Sequence, residues 1–210
     1  MTNPVWVYMS DTALQSDLHA AALRAALGRR SVVLVGMMGV GKSSIGRRLA
    51  TRLGISFVDA DSEIEKAAGM SISDIFDRHG EAAFRSGEAR VIARLLETGR
   101  QVLATGGGAF MNEGTRAAIK AKGVSVFLAA EFEVLMRRIA KRKNERPMLQ
   151  TDNPAQTLRQ LLAQREPVYA LADLTVQSRE EPHEAIVDDI VAALAGFLSV
   201  PLPRTTKYGA

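Results

Sequence analysis

The chain contains no cysteine, so neither a disulfide framework nor a thiolate metal site is open to it. Aromatic residues make up only 5% of its 210 residues. None is interleaved with basic runs in the manner that stacks single-stranded nucleic acid, so no nucleic-acid partner is expected. No run of eighteen or more apolar residues occurs, which argues against a membrane-spanning helix. No basic start precedes an apolar stretch at the N-terminus, and Asp11 and Asp17 oppose an export signal. A cytoplasmic chain without a membrane partner is expected. Charge of one sign is also missing: 27 Lys and Arg face 23 Asp and Glu, net +4, a mild excess that suits a small acidic substrate. The three histidines, His19, His79 and His183, are scattered without metal-ligand spacing and read as surface or loop residues. The length fits one sizeable core with an inserted lobe.

What is present begins with Gly36-Met37-Met38-Gly39-Val40-Gly41-Lys42-Ser43, which matches G-x-x-x-x-G-K-[ST]. Glycines let such a loop curl until successive N–H groups face the α- and β-phosphates. Lys42 is placed to reach the β- and γ-phosphates, and Ser43 to ligate Mg²⁺. The β-branched run Ser31–Val35 precedes the loop, and Ile45, Leu49 and Leu53 follow at helical spacing up to Gly54. Strand, glycine loop and helix together predict a nucleoside-triphosphate site with the helix N-terminus aimed at the phosphates. Met37 and Met38 read as filler in the loop.

Further short strands are expected at residues 55–58, 101–105, 124–128 and 174–176. Helical spacing intervenes at Phe132, Leu135, Met136 and Ile139, and at Ile186, Ile190, Val191 and Leu194. The alternation predicts an α/β fold with a parallel sheet covered on both faces and ligands beyond the strand carboxyl ends. Residues 1–30 read as a loose start and an amphipathic helix with Leu14, Leu18, Ala21 and Ala25 on its stripe. Residues 141–147 read as a basic mobile loop facing anions.

Asp59 and Asp61 stand one residue apart at a strand end, where an extended backbone points both side chains the same way. Such a pair suits Mg²⁺ and a hydroxyl to be activated; equally, Asp61 reads as the N-cap of a following helix. Arg85 and Glu88 lie three apart, with Glu88 in line with the apolar stripe of Val91, Ile92, Leu95 and Leu96. They read either as a surface pair or as an inward clamp for a substrate carboxylate. Arg165 extends the apolar face of Leu158, Leu161 and Leu162 just before Pro167, which is expected to end the helix. It reads as a clamp or as a stem-buried arginine with its head in water. Gly106-Gly107-Gly108 follows a strand directly and leaves room for close approach to the backbone.

In order and separation, the phosphate loop, Asp59-Ala60-Asp61, Phe84-Arg85, Gly106-Gly107-Gly108, Arg146-Pro147 and Arg165-Glu166-Pro167-Val168-Tyr169 resemble the shikimate kinase family across residues 31–197. The resemblance implies a P-loop NTPase of nucleoside-monophosphate-kinase type, its five parallel strands ordered 2-3-1-4-5. It implies transfer of the ATP γ-phosphoryl to the 3-hydroxyl of shikimate, in aromatic amino-acid synthesis. By matching motif, Asp61, Arg85, Gly106, Gly107, Gly108 and Arg165 would bind shikimate, with Asp61 assisting deprotonation. Gly39, Val40, Gly41, Lys42, Ser43, Ser44, Arg138 and Arg146 would serve ATP. Lys42 and Arg146 would face the charge developing on the transferred group. Mg²⁺ would sit on Ser43 and, through water, Asp59. The implied layout is an extension over 1–30, a kinase domain over 31–200 with an acceptor region at about 60–92 and a lid at about 141–153, and a tail over 201–210. A monomer is expected. Ser44 stands where the family commonly has Thr. Two rivals stay open: another small-molecule kinase of this fold, such as a gluconate kinase, and an NTP-binding module without phosphoryl transfer.

Overall fold

The computed structural model describes residues 11–140 and 153–202, and of residues 11–13 the backbone alone. Strand β1 (Ser31–Val35) is wholly buried, as a β-branched run must be when helices cover both sheet faces. Its side chains alternate. Val32 and Leu34 enter a core with Ile45, Leu49 and Leu53 of α2 (Lys42–Leu53) and Ile186, Ile190 and Leu194 of α8 (His183–Phe197). Val33 and Val35 enter a second core with Ile92, Leu95 and Leu96 of α4 (Ile72–Glu97) and Ile119 of α5 (Glu113–Lys122). At about 1.5–3 kcal/mol per buried aliphatic side chain, these two cores supply the bulk of the driving force.

The remaining strands are β2 (Ser56–Asp59), β3 (Gln101–Ala104), β4 (Gly123–Ala129) and β5 (Leu174–Gln177), all parallel, in order β2-β3-β1-β4-β5. That is the expected architecture. Val33 lies opposite Leu103 and Ser125, and Asp59 opposite Ala104. The loops after β1 and β3 therefore leave the sheet side by side. The second strand begins at Ser56, one residue later than expected. Ile55 is taken by the helix before it: its N–H donates to Ala50 O while Gly54, at φ 60°, closes α2.

Three more helices complete the layers: α3 (Ala60–Ala68), α6 (Phe132–Ala140) and α7 (Pro154–Tyr169). Helix α7 runs on to Tyr169 instead of stopping before Pro167. Proline in a final turn forfeits one helical bond, and Ala170 N–H still reaches Glu166 O at 2.9 Å. Helix α1 (Asp11–Leu27) forms, but on a different face from the expected one. Leu14 and Leu18 are 49% and 61% exposed, whereas Ala20, Leu23 and Leu27 are buried and Arg24 Nη1 donates to Leu53 O at the end of α2. Only the C-terminal half of α1 lies against the core, so its leucines set the docked face. A satellite cluster of Ile64, Ile75 and Phe84, with Phe76 against Phe84, joins α3 to α4. Among the described residues no helix is long and apolar enough to cross a membrane.

Candidate active site

The phosphate-loop residues close around the carboxyl end of β1. Gly41 sits at φ 104°, a conformation that side chains resist, and its carbonyl accepts Ile45 N–H at 2.9 Å to start the ladder of α2. Lys42 is buried, with Nζ donating to Gly36 O at 2.7 Å and Met37 O at 3.0 Å, so the ammonium lies over the loop itself. Ser43 Oγ donates to Asp59 Oδ2 at 2.6 Å.

Asp59 closes β2, and its Oδ1 accepts Asp61 N–H at 3.1 Å. The capping residue is thus Asp59, not Asp61. The two carboxylates do not share an extended backbone either, because Asp61 already lies in the first turn of α3. The helical turn still keeps them close enough that Asp61 feels Asp59. Burial, then Asp59, raise the Asp61 pKa above its ordinary 3.8, while Lys42 and Arg85 pull it down. Asp61 therefore lies within electrostatic reach of both Lys42 and Arg85.

Arg85 Nη1 donates to Glu88 Oε2 at 2.8 Å, and its Nε and Nη2 donate to Glu81 Oε1 at 3.2 and 3.1 Å. Burial opposes the Arg85 charge, but the bonds to Glu88 and Glu81 outweigh it and raise its pKa. Glu88 is buried, and burial lifts its pKa against the pull of Arg85. Its Oε1 has no hydrogen-bond partner among the described residues. The arginine is thus half-buried and oriented by a buried glutamate, so the two are not a solvated surface pair.

The three glycines after β3 explain how these groups fit. A Cβ on Gly106 would lie 2.6 Å from Glu88 Oε1 and 2.8 Å from Asp61 Oδ1, and one on Gly108 would lie 2.5 Å from Arg85 Nη1. Gly107 brings the two loops together, since a Cβ there would come within 3.3 Å of Met38 N. Its carbonyl accepts Arg165 Nη1 at 3.3 Å and also the Tyr169 hydroxyl. Arg165 is buried, which removes its reading as a head in water. Tyr169, one turn later, stacks on Phe127 of β4, and burial pushes its pKa up to about 12.

On the opposite side of the phosphate loop, Arg138 Nη1 donates to Val40 O and to Ser178 Oγ, both at 2.9 Å, and Nη2 to Arg179 O at 2.6 Å. Half-buried His183, read from sequence as a surface residue, opens α8 with its Nε2 3.8 Å from where a Gly41 Cβ would stand. Burial, then Arg48 and Arg138, lower its pKa. Val40 O meets Arg138 on this side, and Ser44 O accepts Arg48 Nη1 at 3.0 Å.

The fold thus brings Asp59, Asp61, Arg85, Gly106, Gly107, Gly108 and Arg165 to one side of Lys42, and Arg138 to the other. Arg146 and residues 141–152 of the expected lid lie outside the described residues. Among the described residues no group of three or more His or acidic side chains forms a metal site by itself. The donor set that does exist, a hydroxyl beside a carboxylate, suits a hard cation that keeps waters and phosphate oxygens, as Mg²⁺ does. Glu81, Tyr169 and His183 join these residues without a functional expectation from sequence. Glu81 precedes Arg85 by four residues and Tyr169 follows Arg165 by four, so helical spacing was a usable signal for both. Nothing in the sequence marked His183.

Comparison with known proteins identifies the family and the fold. The shikimate kinase family model matches residues 38–195. A shikimate kinase of Bradyrhizobium diazoefficiens is 59% identical over 191 residues, covering 90% of this chain and 92% of that one. Among solved structures, a shikimate kinase from Acinetobacter baumannii in complex with shikimate superposes with a TM-score of 0.77 at 38% identity, over 86% of this chain and 99% of that one. A gluconokinase from Sinorhizobium meliloti shares the fold alone, with a TM-score of 0.54 at 20% identity over 81% of this chain and 94% of that one.

Proposed function

The chain belongs to the shikimate kinase family, and we propose that the cleft between its β1 and β3 loops moves the γ-phosphoryl of ATP onto the 3-hydroxyl of shikimate. The observation that carries this reading is the glycine run. Only without side chains at Gly106 and Gly108 do Asp61, Glu88 and Arg85 stand at the mouth of the same strand pair that holds Lys42.

Each residue then has a task that its surroundings support. Lys42 and the N–H groups of residues 39–44 hold the triphosphate; Arg138 braces the far side of that loop through Val40 O. Arg85 and Arg165 clamp the acceptor carboxylate, a bidentate task that suits planar guanidinium groups. Asp61 binds the ring hydroxyls and accepts the proton of the attacking one; its raised pKa makes its ionised form a stronger base. Gly106, Gly107 and Gly108 offer backbone to the acceptor. Ser43 would ligate Mg²⁺, with Asp59 reaching it through water, and the ion would supply charge neutralisation on the β- and γ-phosphates. The rest is positioning and electrostatics. Both halves of the cleft come from one chain, which supports a monomer, and ATP as co-substrate fits a cytoplasmic enzyme.

The test is ADP release in a coupled assay with a panel of acceptors. Shikimate should turn over, while gluconate and nucleoside monophosphates should not. Turnover with gluconate and none with shikimate would favour the gluconate kinase reading. ATP binding without acceptor-dependent ADP release would leave a binding module only.

A further inference from the structure

Arg85 carries five N–H donors in a rigid fork, and its surroundings divide them unequally. Nη1 belongs to Glu88, whose side chain is 3% exposed. The Nε and Nη2 donors form the edge best shaped for a carboxylate, and both are taken by one oxygen of Glu81, whose side chain is 60% exposed. Gly108 lies against the guanidinium itself: a Cβ there would be 2.5, 2.6 and 2.7 Å from Nη1, Cζ and Nη2. Near-equal distances to those three atoms place the glycine over one face of the plane. Backbone covers that face, a buried carboxylate holds one end, and a solvated carboxylate fills the two-donor edge.

From this arrangement we propose that Glu81 is an internal substitute for the acceptor's carboxylate, holding the Nε–Nη2 edge of Arg85 until the acceptor displaces it. The inference rests on the reading of Arg85 as the acceptor clamp. The two glutamates differ in what leaving would cost them. Glu88 cannot leave without stranding a buried charge, so it orients the guanidinium. Glu81 has water beside it and a second favourable setting. Gly80, at φ 78° and ψ 169°, breaks the helical path of α4, so Glu81 begins the segment that carries Arg85 and lies at its positive end. Displaced from Arg85, it keeps that helix-end interaction and regains hydration. The two-donor edge of a half-buried cation thereby stays paired when no acceptor is bound, and acceptor binding becomes an exchange of one carboxylate for another.

The sign of the consequence is unusual: removing Glu81 should tighten acceptor binding. An exposed pair at this spacing is weak, so Glu81→Gln and Glu81→Ala should each lower KM for shikimate about two- to threefold at low ionic strength. The KM for ATP should not move, and added salt should narrow the gap. A second readout is the ¹⁵N–¹H signal of Arg85 Nε. It should differ between the native protein and Glu81→Gln in the free enzyme, and coincide once shikimate saturates both. Unchanged or raised KM in both variants, or Nε signals that stay equally different in the shikimate complexes, would overturn the proposal. Arg85→Ala, measured alongside, separates the two levels. If it leaves KM for shikimate unchanged, the clamp reading itself falls. If it raises KM while neither Glu81 variant lowers it, the clamp stands and only the exchange falls.

Discussion

The two halves of this cleft are built on different physical terms. The phosphate half is backbone: a loop of eight consecutive residues, fixed between a fully buried strand and a helix whose own N-terminus completes it. The half proposed for the acceptor is side chains: Asp61 from α3, Arg85 and Glu88 from α4, and Arg165 from α7, meeting over three glycines after β3. Its local support is the small Ile64–Ile75–Phe84 cluster together with Ala60, Ile92, Ala109 and Tyr169 at the edge of the second core. A backbone site tolerates wide changes of sequence outside its glycines and lysine. A side-chain site depends on several segments arriving together, each paying desolvation for a charge it brings. The acceptor half is therefore where the pKa values of Asp61 and Glu88 are raised.

Substitutions can set the halves against each other. Asp61→Asn should have the largest effect, cutting turnover by roughly 10²–10⁴ in the coupled assay while leaving ATP affinity in place, as loss of a general base does. Because the folded state raises its pKa, ionised Asp61 costs stability near neutral pH, a cost that appears as pH rises through that pKa. The melting temperature of the Asn variant at neutral pH should accordingly rise. Equal loss of ATP binding would place Asp61 in the phosphate half instead.

Next comes one chemical change made on both sides. Gly41→Ala forces a side chain into φ 104° at about 1–2 kcal/mol, so nucleotide affinity should fall roughly tenfold with acceptor affinity spared. Gly106→Ala drives a methyl group against Glu88 and Asp61 and should do the reverse, as titration calorimetry with each substrate would show. Tyr169→Phe is milder. It removes one of two donors to Gly107 O and should cost about 1 kcal/mol of stability, with KM for shikimate raised a few-fold and KM for ATP unmoved. The smallest effect is expected from Glu65→Gln. Glu65 is one of the charges raising the Asp61 pKa, so its neutralisation should lower that pKa and shift the acid limb of the kcat profile to lower pH. A limb that stays put would detach it from Asp61.

The same contrast decides what could be read in advance. The phosphate loop was legible residue by residue because its function lies in contiguous backbone. The strand order was legible only through the family resemblance, since alternation gives the layers but not their sequence in space. For Asp61, local spacing misled: a helix starts one residue earlier than an extended pair allows, and Asp59 takes the cap. For α1, periodicity gave a helix and missed its buried face, because docking by one half of a helix leaves leucines of the other half in water. Arg85 and Arg165 each had a bland alternative that periodicity did not remove.

By itself, the amino-acid sequence determined that this protein binds a nucleoside triphosphate on a covered parallel sheet, because glycine spacing and strand–helix alternation act over a few residues. Only the tertiary structure decided that Asp61, Arg85 and Arg165 share one cleft, and which glutamate orients the arginine and which one faces solvent. Those facts depend on separate segments packing together and on the water that packing removes, and neither is encoded at short range.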